Sequence, residues 1–344
     1  MSFLAEYALF LAKTVTIVAA ILLLVGGAVA LSQRQRGKGE RGHLEVTNLN
    51  ERYEEMSRAL AEVLLPKETL KQRRKEEKRR KKAQRKEQRK AAGQAARKRL
   101  FVLDFHGDIQ ASAVEHLREE ISAVLTMAEQ GDEVLVRLES GGGTIHGYGL
   151  AASQLERIRA RGITLVVAVD KVAASGGYLM ACVADRLIAA PFSIIGSIGV
   201  LAQLPNFNRL LKRHDIDFEQ LYAGEYKRTL TLFGENTDKA REKVREELEE
   251  IHRLFKGFIK RQRAGLEVEK VATGEHWLGS RALELGLVDE LLTSDDYLMA
   301  AREHADIVEV RYVLRQGLKE RLASLFSGER LGRQKATTPF VGRV

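Results

Sequence analysis

The sequence is short of the residues that staple a fold or hold a metal. Its 344 residues include one cysteine, Cys182, so no internal disulfide can form and the redox compartment is unreadable. No H-E-x-x-H run and no Cys/His cluster at ligand spacing is present, so no metal is expected. Nucleotide-binding patterns are missing too. The stretch ESGGGTIHG (139–147) places glycines between a strand-like and a helix-like run, but G-x-G-x-x-G fails at His146 and no G-K-[ST] follows. No cofactor is expected. The glycines do allow backbone to approach a ligand and aim N–H groups at it.

Excess negative charge is missing overall, yet the formal +9 is not spread evenly. Residues 67–100 hold 17 Lys/Arg against four Asp/Glu, residues 1–66 balance, and residues 101–344 carry a net −4. The basic run KETLKQRRKEEKRRKKAQRKEQRKAAGQAARKR has no aromatics and almost no aliphatics. It cannot build a core, and it offers no rings for base stacking, so no nucleic acid is expected as a partner. It reads as an exposed helix or spacer suited to anionic lipid headgroups.

Residues 14–31 (TVTIVAAILLLVGGAVAL) carry no charge and, extended back across Lys13, reach the roughly 20 residues a helix needs to cross a bilayer. The expectation is a single-pass N-terminal transmembrane helix. Arg34, Arg36, Lys38 and Arg41 follow it, and the positive-inside rule then favours a cytoplasmic C-terminal bulk. The expected organisation is a membrane anchor (1–32), a helical and basic spacer (33–99), a catalytic domain (100–312) and a C-terminal tail (313–344). Within the spacer, residues 50–65 have apolar positions at helical spacing, ended by Pro66.

From residue 100 short β-branched and aliphatic runs (LFVLDFHG, EVLVRLES, TLVVAVD, RLIAAP) alternate with helix-like stretches at 113–130, 146–162 and 176–185. This alternation predicts an α/β fold with a mainly parallel sheet. Glycine-bearing segments fall after the strands, where such sheets collect functional residues. One of them is KVAASGGYLM (171–180), with Ser175 between small residues, a strand before it and a helix after it. A G-x-S-x-G elbow would need glycine at 173, where Ala173 stands. Ser175 reads either as a nucleophile whose alkoxide the helix N-terminus would favour, or as a small residue in a packed turn. His106 and His146 follow strands and could reach a site. A lysine serves as base only when burial brings its pKa from about 10.4 toward neutrality. Lys227, in the mixed apolar run LYAGEYKRTLTLF, is a candidate that spacing alone does not select.

The ordered runs LDFHGDI, RLESGGG, HGYGLAASQL, VDKVAASGGYLMACVAD, IIGSIGVLAQLPNFNRLL, AGEYKRTLTLFGENT and VATGEHWLGSRALELGLVDE resemble the S49 family of serine peptidases, the signal peptide peptidase A group, and within it the inner-membrane members. The resemblance covers nearly the whole chain. It implies a ClpP/crotonase-like fold and peptide-bond hydrolysis by a Ser-Lys dyad. By resemblance Ser175 is the nucleophile, Lys227 the general base and Ser197 the serine that orients the lysine. Gly142, Gly143 and Gly176 match oxyanion and substrate-binding positions. The family's usual Ser-Pro-Gly-Gly turn appears here as Ser140-Gly141-Gly142-Gly143, which implies a looser turn. The resemblance further implies a homo-oligomer, peptide or membrane-protein substrates, lipid contact through the N-terminal helix, and an inner-membrane location with a periplasmic catalytic domain, against the charge rule. Two rival readings share the fold: an acyl-CoA enzyme of the crotonase type and a non-catalytic membrane scaffold.

Overall fold

The computed structural model describes residues 42–90 and 97–314, together with Lys13 and Thr16. The expected anchor, apart from those two residues, and the tail beyond residue 314 lie outside the described residues. No helix among the described residues is long and apolar enough to cross a membrane.

The chain divides into two compact units. The larger spans Glu45–Arg311. In the smaller, the Gly42 N–H donates to Tyr312 Oη at 3.0 Å.

Ten strands form one sheet among the described residues: β1 (His43–Asn48), β2 (Lys98–Gly107), β3 (Glu133–Ser140), β4 (Thr164–Val169), β5 (Val172–Ala174), β6 (Arg186–Ala189), β7 (Ile194–Gly196), β8 (His276–Leu278), β9 (Glu290–Leu291) and β10 (Ala305–Val313). The main order is β1-β10-β2-β3-β4-β6-β9. Pairing is parallel from β10 through β9, as the alternation of strands and helices predicts, and β7–β8 is antiparallel. The sheet forks at β3. Residues 133–137 pair with β4, while Ser140 pairs with Ala173 of β5, which in turn pairs with β7.

Both faces of the sheet are covered over its first half, which is why its strands read as continuous apolar runs rather than alternating ones. On one face Phe101, Leu103, Phe105, Val134, Val136 and Leu138 pack under α3 (Val114–Met127), α4 (Ile145–Ala160) and α5 (Gly176–Ala181). On the other, Leu100, Val102, Leu135, Val166 and Ile307 pack with Leu49 of α1 (Leu49–Leu64) and Leu298 of α10 (Ser294–Ala301).

The helix read over 50–65 is α1. Asn48 caps it by accepting from the Glu51 N–H at 3.2 Å, and its first turn docks through Asn50, whose amide reaches the Ala305 carbonyl and the Ile307 N–H. Part of the expected spacer is therefore built onto the sheet. The basic run that follows forms α2 (Lys67–Lys90). Residues 208–213 form α6, residues 238–262 form α7, residues 268–271 form α8 and residues 279–284 form α9.

Toward the strand ends the second face turns ionic. Arg137 binds Asp104 through Nε at 2.5 Å and Nη2 at 2.8 Å, and reaches Glu309 at 2.6 Å, while Arg311 also reaches Asp104 at 2.7 Å. Burial acts to raise the Asp104 carboxyl, but the hydrogen bonds and charge of Arg137, helped by Arg311, outweigh it and hold the group below the ordinary carboxylate value. A lowered carboxylate contributes stability that is present above its unfolded pKa and is lost as pH falls through the folded one. Asp104→Asn is expected to cost about 3 kcal/mol at neutral pH, because Arg137 keeps its burial and loses a partner. The variant should also show a flatter acid limb in urea denaturation followed between pH 6 and pH 3.

Candidate active site

The fork in the sheet builds the site. β5 and β7 pair in parallel with Ala174 opposite Gly196, so the next residues, Ser175 and Ser197, leave the strands side by side. Both turn through left-handed backbone, with φ of +53° at Ser175 and +50° at Ser197. A non-glycine residue there costs about 1–3 kcal/mol and persists only where its surroundings fix it. At Ser175 the N–H donates to the Gly196 carbonyl at 2.8 Å, and the carbonyl accepts from the Leu179 N–H at 3.0 Å. The Ser197 N–H donates to the Glu275 carbonyl at 2.7 Å.

Ser175 (φ +53°, ψ −119°) thus sits on a sharp strand-to-helix turn that lifts its side chain, half-exposed, above the sheet. This is the physical content of a nucleophile elbow, reached without the glycine at 173 that the sequence pattern asks for. Ala173 is instead buried in the ladder opposite Ser140.

The glycine turn after β3 closes against this elbow. Gly142 has φ +88°, and a Cβ there would lie 2.7 Å from the Ala174 oxygen, the Gly176 nitrogen and the Ser175 Cβ alike. The Gly142 N–H donates to Ser140 Oγ at 3.0 Å. Among the described residues the N–H groups of Gly143 and Gly176 have no partner. Gly141 is different: its φ is not left-handed and a Cβ there would meet nothing within 4 Å. The turn that looked loose without proline is held instead by the Ser140 hydroxyl.

Ser140 and Tyr148 are the residues the sequence reading missed. Ser140 Oγ bonds Tyr148 Oη, and the tyrosine in turn donates to the Asp108 carbonyl at 2.7 Å. Burial pushes the Tyr148 phenol up, the Ser140 bond partly opposing, so it stays a donor. The available signal was local: a tyrosine between two glycines, GYG, just after a triple-glycine turn.

The structure does not bring Lys227 to the serines. It is exposed in the single chain rather than buried, and no hydrogen bond or ion pair joins it to Ser175 or Ser197. Its neighbours hold it against the start of α7: Glu225 binds Lys239 at 2.6 Å, and the Tyr226 ring faces Lys243 at 5.4 Å. Neither histidine singled out in the sequence joins the serines. His106 approaches Glu139 at 3.6 Å, on the strand face opposite Ser140, and His146 is exposed. Cys182 is buried, and burial drives its thiol upward, away from reactivity. No metal-holding group of His, Cys, Asp or Glu exists among the described residues.

Family models match end to end: the N-terminal model of peptidase family S49 over residues 2–155 and the peptidase family S49 model over residues 157–308. This chain belongs to peptidase family S49. A probable protease SohB of Haemophilus influenzae is 50% identical over 318 residues, covering 91% of this chain and 90% of its own. Another from Buchnera aphidicola (subsp. Acyrthosiphon pisum) is 58% identical over 228 residues, 66% of this chain and 68% of its own. A solved structure of a membrane-bound stomatin-specific protease aligns over 60% of this chain and 85% of its own at 14% identity, with a TM-score of 0.39. The S49 member described here is a serine peptidase.

The packing around the elbow makes a paired prediction. Gly142→Ala forces a Cβ into three atoms of the Ser175 turn and should lower kcat/KM by at least about ten-fold, whereas Gly141→Ala, with open space, should stay within about two-fold. Steady-state hydrolysis of a fluorogenic peptide by both variants checks it.

Proposed function

We propose that this S49 peptidase is a membrane-anchored endopeptidase with a ClpP/crotonase-like fold, in which Ser175 is the nucleophile, Lys227 the general base and Ser197 the residue that orients the lysine. The observation that carries the reading is the Ser175 elbow: a strained serine beside Ser197, with the Gly142 turn packed against it. Neutral Lys227 takes the hydroxyl proton as Ser175 Oγ attacks the scissile carbonyl. The N–H groups of Gly143 and Gly176 receive the oxyanion, and Gly142 supplies the space that lets the two walls meet. The lysine ammonium then protonates the leaving amine, and water releases the acyl group from Ser175.

Lys227 has to lose its water to act as a base, and a second copy of the chain is the proposed cover. The segment that carries it is rich in apolar surface left open in one chain: Leu201 is 75% exposed and Leu221 95%, and Leu204, Leu210 and Ile216 are exposed as well. Surface of this kind marks an interaction site. The homo-oligomer that covers it would complete the dyad in the same step. The apolar segment 14–31 anchors the chain in the inner membrane, with the catalytic domain on the periplasmic side; residues 67–90 add contact with anionic lipid. Tethering concentrates the site near its substrates, peptides and membrane-protein fragments.

The test is peptide hydrolysis by the full chain across a pH series. Wild type should gain kcat/KM as pH rises through the ionisation of the base. Ser175→Ala and Lys227→Ala should each lose about a thousand-fold or more, their double variant losing little beyond either. Full activity in either single variant removes that residue from the dyad.

A further inference from the structure

We propose that Tyr148 is a positioning residue for catalysis, a single phenol that sets the distance between the two backbone walls of the oxyanion hole. The proposal rests on the reading of the Gly143 and Gly176 N–H groups as the oxyanion donors.

Tyr148 lies in the first turn of α4 and is wholly buried. Its hydroxyl has one proton, and that proton goes to the Asp108 carbonyl. The bond between Ser140 Oγ and Tyr148 Oη therefore uses the serine proton, with the phenol oxygen accepting. Ser140 Oγ still has a lone pair, which takes the Gly142 N–H. The result is a directed chain: Gly142 N–H to Ser140, Ser140 to Tyr148, Tyr148 to Asp108. It fixes the turn that presents Gly143, and it does so from a buried anchor where a hydrogen bond is strong and its loss is costly.

The ring of the same residue touches the other wall. A Cβ on Gly176 would lie 2.4 Å from Tyr148 Cγ and 2.6 Å from Cδ2, so the residue after the nucleophile rests directly on the phenol face. A Cβ on Gly107 would lie 2.4 Å from Tyr148 Oη and 2.6 Å from Ser140 Oγ, so that glycine leaves room for the hydroxyl pair. Phe105 meets the ring edge-on, with centroids 6.4 Å apart and planes at 72°. One rigid side chain thus spans from the Gly142 turn to the Gly176 turn. It holds by hydrogen bonding on one side and by contact on the other. In a fold where the turn lacks proline at 141, this chain replaces a covalent restraint.

Tyr148→Phe removes the hydroxyl and keeps the ring; Ser140→Ala removes the next link. Either is expected to lower kcat about 10- to 100-fold with KM within about two-fold, because the misplaced donors act on the transition state. Combining them should cost little more than one alone, since both break one chain. Amide hydrogen exchange at residues 140–144 should quicken in both variants while β2 and β4 keep wild-type protection. A variant that merely destabilised the domain would leave kcat intact well below its Tm and would loosen the strands as well. Unchanged kcat, or unchanged exchange in the turn, overturns the proposal. If wild type cleaves no peptide at all, the dyad reading fails instead, and the exchange measurement alone decides whether the clamp exists.

Discussion

The hydrogen bond from the Ser175 N–H to the Gly196 carbonyl, 2.8 Å long, is the constraint on which the site depends. It ties the end of β5 to the end of β7 and holds Ser175 in a backbone region that a serine avoids. Without it the chain could relax, and the serine would drop into the packed turn that its small neighbours otherwise suggest. The bond in turn depends on the fork in β3, because β5 reaches β7 only after pairing with Ser140. Sheet topology, a strained residue and a side-by-side serine pair are therefore parts of one arrangement. Tyr148 extends it by joining the glycine turn to the same elbow.

The molecule treats its charged groups in two ways. The half-buried Asp104–Arg137–Glu309 group on the second sheet face is fully paired, with each carboxylate answered by a guanidinium. It can be buried because its charges are mutually satisfied. Lys227 is exposed in the single chain, on a segment whose apolar side chains are exposed with it. The elbow is complete in one chain, while Lys227, the proposed base, stands exposed outside it.

Much of the scaffold was legible in the sequence because both sheet faces are covered, so that LFVLDF, EVLVRL and TLVVAV carry unbroken apolar runs. Pro66 marked the end of α1 with similar clarity. The elbow was not legible. Its left-handed φ comes from a hydrogen bond to a residue 21 positions on, and Ala173 breaks the local pattern that would have signalled it. Ser175 needed the family's ordered motifs to stand out from any small serine in a turn. The exposure of Lys227 was invisible as well, since an apolar neighbourhood in sequence reads as burial whether the apolar groups turn inward or face solvent. Tyr148 was overlooked for the opposite reason: a buried tyrosine at a helix start is ordinary, and its importance lies in two glycines, Gly107 and Gly176, that make room for it or rest on it from separate segments.

The central claim is geometric: Ser175 attacks while the Gly143 and Gly176 N–H groups hold the developing oxyanion. The most direct measurement is a crystal structure of the full chain after reaction with a peptidyl phosphonate. The account predicts a covalent adduct on Ser175 Oγ with the phosphonyl oxygen about 2.7–3.1 Å from both the Gly143 and the Gly176 nitrogen. An adduct on another serine, or a phosphonyl oxygen turned away from both N–H groups, would contradict it.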